Sequence, residues 1–288
     1  MSAPVNYAVF ARNCTSVGAL TIVVWEGIAN WDLEYKYLTK ESRSPPTNIK
    51  WLFLYSRYFG IGAQIINCIL TGGILSQLPV KTEHCRVWYS FQVIVGRSLL
   101  AALEVVLGLR VYVLHGRSFR IALFLAGMIF LGITVSLVYG IGSILEMNYD
   151  SDCHARGSPN GPFCVSLSIL ITHVLLWSLT VQKRNIGAHT GWRKHHVIHA
   201  VVHDGAWIMF LMFCTQLTLG QRGLQTHDFQ VISASIVPYI LLDHLVALNI
   251  VFSWPMALIS IFCCRLILKM HTIRSPESSP DLEFTTCS

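Results

Sequence analysis

The stretch 121–145, "IALFLAGMIFLGITVSLVYGIGSIL", contains no Asp, Glu, Lys, Arg or His. As an α-helix it would be roughly 37 Å long, enough to cross the ~30 Å hydrocarbon core of a bilayer. Its residues show no alternation of period two, which argues against a strand of a membrane barrel. Backbone N–H and C=O groups find no partner in lipid, so such a segment must satisfy them internally, as a helix.

The same length criterion picks out further spans near 14–31, 51–76, 87–114, 164–182 and 205–220, and a long terminal stretch at 231–268. The 288 residues are 53% hydrophobic and 12% charged, whereas soluble domains carry about 25% charge. No hydrophilic block is large enough for a separate globular domain. The chain therefore reads as an all-α polytopic membrane helix bundle over 1–271, followed by a Ser-, Thr- and Pro-rich disordered cytoplasmic tail over 272–288. The net charge of +6 does not point to nucleic acid, because the basic residues sit at the ends of apolar segments, where they act as topology determinants. The partner implied by composition is the lipid bilayer.

The terminal stretch 231–268 would be roughly 57 Å long as one straight helix, too long for a single crossing. With seven spans and the N-terminus outside, the cytoplasmic segments hold Lys36, Lys40, Arg43, Lys50, Arg117, Arg120, Lys183, Arg184, Arg193, Lys194, Arg265, Lys269 and Arg274. The outer segments hold only Arg12, Lys81, Arg86, Arg156 and Arg222. An eighth span would export Arg265, Lys269 and Arg274, so the positive-inside bias selects seven transmembrane helices with the C-terminus cytoplasmic. The opening "MSAPVNYAVFARNC" lacks a basic n-region and a cleavage site, which makes the first span an uncleaved signal anchor, suited to the endoplasmic reticulum or plasma membrane.

Charge is costly in hydrocarbon, so ionisable groups within spans point to function. The sharpest pointers are Glu26, Arg57, Arg97, Glu104, Asp243 and His244. Arg97 and Glu104 lie two turns apart on one face of the third span, close to 10 Å in axial distance. At that distance each is expected to meet a group on another helix, with Asp243 and His244 as candidate partners. Such a cluster is either a ligand pocket built from Arg97, Glu104, Asp243 and His244 or a structural lock. Glu26 and Arg57 lie near the cytoplasmic ends of their spans, where Arg57 can snorkel and Glu26 can act as an interfacial charge.

Cys85, Cys153 and Cys164 fall on the outer, oxidising side. Cys85 can pair with Cys153 or with Cys164, or the two loop cysteines can pair with each other, and spacing does not choose among these. Cys263 and Cys264 suit either palmitoylation or packing.

The run "HHVIHAVVHD" at 195–204 places His195, His199 and His203 on one face of a helix, a geometry in which imidazoles can bind a transition metal. It faintly resembles, reversed, one histidine box of membrane di-iron desaturases, but no second box exists. The better reading is an interfacial helix, "GWRKHHVIHAVVHDGAW", anchored by Trp192 and Trp207. G-x-S-x-G, G-x-x-x-x-G-K and paired aspartate-rich motifs are absent, and no cofactor is implied.

The segments "VVWEGIANWDLEYKYL", "KWLFLYSRYFGI", "LEVVLGLRVYVLHGRSFRI", "VVHDGAWIMF" and "ISIFCCRLILKM" make the chain similar to a large fungal, chiefly basidiomycete, family of multi-span membrane proteins of unknown function. That resemblance implies a seven-span bundle and supplies no catalytic residues. The extra histidines before Asp204 and the extended apolar stretch 231–254 depart from it.

Two function classes follow. The first is a non-enzymatic, receptor-like protein that binds or senses a small lipophilic ligand. The second is a membrane-embedded enzyme of specialised terpenoid or lipid metabolism, with Glu26, Glu104, Asp243 and His244 as acid/base groups. A transporter ranks third, since Pro238 and Pro255 are the only helix interruptions late in the chain.

Overall fold

A computed structural model describes residues 3–40, 48–76, 80–149, 153, 155–156, 160–188 and 244–274. The span expected at 205–220, the histidine run, Asp243 and 275–288 lie outside the described residues. What is described is almost entirely helical. Helix α1 covers Ala3–Ala29 and is followed after Asn30 by α2, Trp31–Lys40. Helix α3, Asn48–Leu54, passes through a five-residue π-helical turn, Tyr55–Phe59, into α4, Gly60–Gly72. Then come α5, Thr82–Leu114, and α6, Phe119–Glu146. Two short antiparallel strands, β1 (Asn148–Tyr149) and β2 (Ala155–Arg156), lead to α7, Asn160–Ala188. Helix α8 covers His244–Arg274, so the C-terminal part of 231–268 is one helix, and it extends past residue 272.

Among the described residues, four helical stretches are long and apolar enough to cross a membrane: Ile49–Ser76, Thr82–Leu114, Phe119–Glu146 and Cys164–Gln182. They lie on four of the spans expected from sequence. Helix α1, which carries Arg12, Asn13 and Glu26, is not among these four. The apolar part of α8, Phe252–Leu268, is shorter.

Helix α5 is the axis of the bundle. It packs against α8 and α4 on one side and against α6 and α7 on the other, and its Val95, Leu99, Leu103 and Val106 join Phe53, Met256, Ile259 and Ile267 in the main apolar core. Helix α5 ends at a Gly116-Arg117 turn in which both residues have positive φ (70° and 60°) and the Arg117 N–H reaches back to the Tyr112 carbonyl. This left-handed ending satisfies late carbonyls of α5 and turns the chain into α6.

Small residues set the closest approaches. Helices without a hydrophobic drive toward one another in lipid associate by close van der Waals packing, which small side chains allow. On α6, Gly132, Ser136 and Gly140 recur every fourth residue and are buried, and a Cβ at Gly140 would lie 3.2 Å from Val93 Cγ1 on α5. Between α4 and α8 the contact is tighter: a Cβ at Gly60 would lie 2.4 Å from Ser260 Oγ and 2.8 Å from Ser260 Cβ. Ser260 Oγ in turn donates to the Ser56 carbonyl at 2.8 Å, within the π-helical turn. Replacing Gly60 by Ala is therefore expected to destabilise the bundle by about 1–3 kcal/mol. Combining it with Ser260→Gly should cost less than the two single changes added together, read as thermal unfolding in detergent.

Candidate functional site: polar centres inside the bundle

The main polar centre lies near the middle of α5, α6 and α7. Arg97 and Glu104, both on α5 and both buried, bond directly to each other: Nη1 to Oε1 at 3.0 Å and Nη2 to Oε2 at 3.1 Å. This corrects the expectation that each would need a partner on another helix. The side chain of a helical residue leans toward the N-terminus, so Glu104 reaches back while the long Arg97 extends forward. Together they close the two-turn gap with a bidentate pair, the strongest geometry for guanidinium and carboxylate. His173 of α7 adds its Nε2 at 3.9 Å from Glu104 Oε1, too long for a hydrogen bond.

Gly132 makes room for the guanidinium. A Cβ there would stand 3.1 Å from Arg97 Nη2, 3.5 Å from Thr172 Oγ1 and 3.8 Å from Ser168 Oγ. Ion pair, imidazole and hydroxyls thus gather around one side-chain-free spot on α6. Arg97 Nε and His173 Nε2 are buried and have no hydrogen-bond partner among the described residues. The centre is formally neutral with His173 uncharged, and it retains hydrogen-bonding capacity.

His244 is the first residue of α8. Gly96, beside Arg97, lies level with Met256 of α8, whose Cε is 4.0 Å from the Gly96 Cβ position. His244 opens the same helix more than three turns earlier, roughly 18 Å along the axis. Glu26 accepts from Arg265 Nε at 2.6 Å and Nη2 at 2.8 Å, tying the end of α1 to α8. Of the acid/base candidates, Glu26 and Glu104 have separate arginines, and Asp243 lies outside the described residues.

Near the Glu26–Arg265 pair, Arg57 is buried rather than snorkelling, with Nη2 3.1 Å from Glu34 Oε1 on α2. Burial raises the Glu34 carboxyl above the ordinary range, with Arg57 pulling the other way. The guanidinium lies against Gly27, where a Cβ would fall 2.2 Å from Nη2. Arg57 sits in the π-helical turn, an element frequent at functional sites.

A third network is uncharged and spans four helices. Asn67 Oδ1 on α4 accepts from Gln92 Nε2 at 2.6 Å and Trp88 Nε1 at 3.3 Å, both on α5. Its Nδ2 donates to Ser253 Oγ on α8 at 3.0 Å and to Ser16 Oγ on α1 at 3.4 Å. Gln64 Nε2 donates to the Ser253 carbonyl at 2.9 Å, in the turn that Pro255 interrupts. A search for formal charge within the spans does not reach Asn67, Gln92, His173 or Glu34: the first two are neutral amides, His173 is uncharged at its ordinary protonation, and Glu34 lies just past the first span. Asking which polar groups of any kind lie inside apolar segments would have found the first three.

Of the alternatives for the cysteines, the structure joins Cys85 to Cys153, with Cα atoms 5.4 Å apart, and leaves Cys164 free. Tyr89 donates to the Cys153 carbonyl at 3.3 Å and stacks on Tyr149, so the β1–β2 segment is fastened to the start of α5. Cys263 and Cys264 are buried, and Cys263 Sγ lies 3.1 Å from Ser56 Oγ, which favours packing over acylation. Among the described residues no group of three His, Cys, Asp or Glu side chains can hold a metal ion. His195, His199 and His203 are outside them.

Residues 14–62 match a sequence family described as a family of unknown function (DUF6533). The match takes in Glu26, Glu34 and Arg57 and stops short of Asn67, Arg97 and Glu104. No curated protein and no solved structure matches the chain.

Glu104→Ala leaves the Arg97 charge buried without its partner and should cost about 3–5 kcal/mol. The double change Arg97→Met, Glu104→Leu should recover most of that loss in detergent unfolding, since it removes both charges and keeps the volume.

Proposed function

We propose that this chain is a seven-span membrane protein that binds a small lipophilic ligand in a receptor-like manner, with its N-terminus outside and its C-terminus in the cytoplasm. The observation that carries this reading is the convergence of Arg97, Glu104 and His173 halfway along α5 and α7, with Arg97 Nε and His173 Nε2 buried and unpartnered among the described residues. In a low-dielectric interior unused hydrogen-bonding groups are costly. A ligand with an apolar skeleton and one neutral acceptor, a carbonyl or hydroxyl, would relieve that cost without adding charge.

The orientation has separate support. A Cys85–Cys153 bond suits an oxidising compartment, which supports an orientation with that end of α5 outside or in the lumen of the endoplasmic reticulum. Arg117, Arg120, Arg265 and Lys269 then fall on the cytoplasmic side, as the positive-inside rule requires. The 3.9 Å approach of His173 Nε2 to Glu104 Oε1 favours a second reading. In it the chain is a membrane-embedded enzyme of terpenoid or lipid metabolism with these two groups exchanging protons with the substrate.

Thermal unfolding of the detergent-purified full chain against sterols, terpenoids and long-chain fatty-acid derivatives separates these readings. Receptor-like binding predicts that one class raises Tm without being consumed, and that His173→Phe weakens it by about tenfold, the loss of one buried hydrogen bond. No stabilisation by any class would overturn it. Conversion of the compound, lost in Glu104→Gln, would establish the enzyme instead.

A further inference from the structure

Helices α1 and α2 share one outward face. Phe10, Val17, Val24, Ile28, Trp31 and Tyr35 are all exposed, and their spacings of seven, seven, four, three and four keep them on a single stripe. The backbone bonds across the junction are helical, with the Asn30 N–H on the Glu26 carbonyl at 3.1 Å and the Glu34 N–H on the Asn30 carbonyl at 3.0 Å. The inward face is continuous as well. Gly27 and Glu34 both meet Arg57, Tyr37 packs edge-on against Phe53 with ring centres 5.4 Å apart, and Lys50 Nζ donates to the Leu38 carbonyl at 3.4 Å. Helix α2 therefore runs on from α1 antiparallel to α3.

From Phe10 to Tyr35 the outward stripe is roughly 37 Å long, longer than the ~30 Å hydrocarbon core. Toward the α2 end the exposed side chains of the stripe become Trp and Tyr. Trp25, Trp31 and Tyr35 are exposed on α1 and α2, and Trp51, Tyr55 and Tyr58 are exposed on the neighbouring α3 and its π-helical turn. Asp32, Lys36 and Thr39, also exposed, occupy the rest of the outer surface of α2. Trp and Tyr favour the boundary between headgroups and acyl chains because their rings are apolar and their N–H or O–H needs a wet partner.

We infer that the α1–α2–α3 corner docks into the headgroup–acyl boundary of a phospholipid bilayer, with Trp31, Tyr35, Trp51 and Tyr58 as its collar. The surface is continuous with the lipid-facing sides of the spans, and its apolar flanks beside a charged crest match a layer that is apolar below and ionic above. In this arrangement α2, read from sequence as part of a cytoplasmic connection, is the first span's extension through the headgroups. The Glu34–Arg57 pair then lies at boundary depth rather than in the hydrocarbon core. The inference does not depend on the ligand-binding proposal.

The test uses the full-length protein in phosphatidylcholine liposomes. An NBD fluorophore is attached at Trp31→Cys, Tyr35→Cys or, on the other helix, Trp51→Cys, with Arg117→Cys in the α5–α6 turn as the aqueous reference. The signal of the identically treated parent chain is subtracted. Quenching by lipids carrying doxyl near the headgroup should exceed that by lipids carrying it deep in the acyl chain about twofold at the collar positions, as expected for a boundary site. Aqueous iodide should act mainly at 117. Iodide quenching at 31, 35 and 51 equal to that at 117 would overturn the inference. So would protection from both quenchers, which would assign the corner to a protein partner.

Discussion

A bundle in lipid has no water to satisfy polar groups in its interior, so each must find its partner in the protein. Asn67 meets that constraint for four helices at once, linking Ser16 of α1, Trp88 and Gln92 of α5 and Ser253 of α8 through one side-chain amide. The indole N–H can only donate, so it turns the Asn67 oxygen toward α5 and the amide nitrogen toward α1 and α8. The register of α1, α4, α5 and α8 follows from that orientation. Gln64, one turn away on α4, adds a bond to α8 beside the break that Pro255 makes in its backbone ladder.

Ion pairs are used more sparingly: among the described residues three carboxylates each meet an arginine. Glu26 with Arg265 joins α1 to α8, Glu34 with Arg57 joins α2 to the π-helical turn, and Arg97 with Glu104 stays within α5. The first two hold elements together. Among the described residues the third makes no link between helices and leaves an imidazole of α7 nearby without a bond, an arrangement poorly suited to a pure lock. That contrast is why the centre around Gly132 is the strongest candidate for a function.

Much of this was legible in the residues. The four apolar stretches were placed close to their helices, and Arg97 and Glu104 were singled out because ionisable side chains in hydrocarbon are rare. Their pairing does not follow from the axial separation of the backbone, because the reach and lean of the two long side chains close that gap. The level of His244 relative to α5 depends on how α8 slides against that helix, which no spacing along the chain records. The Cys85–Cys153 choice was open for the same reason: it needs two Cα atoms within about 6 Å, and that distance is a property of the fold.

By itself the sequence determined that this chain is a helical membrane protein, because length and apolarity act locally and lipid admits few other solutions. It also determined which polar groups would be costly, since that cost depends on the segment around each residue. Only the tertiary structure decided how those groups are shared out: Glu26 to Arg265, Arg57 to Glu34, Asn67 to three neighbouring helices, and His173 to the edge of the Arg97–Glu104 pair. Those assignments depend on close approach between helices, set by Gly27, Gly60 and Gly132, where a missing side chain admits a neighbour within a few ångströms and the chain order gives no sign of which neighbour it will be.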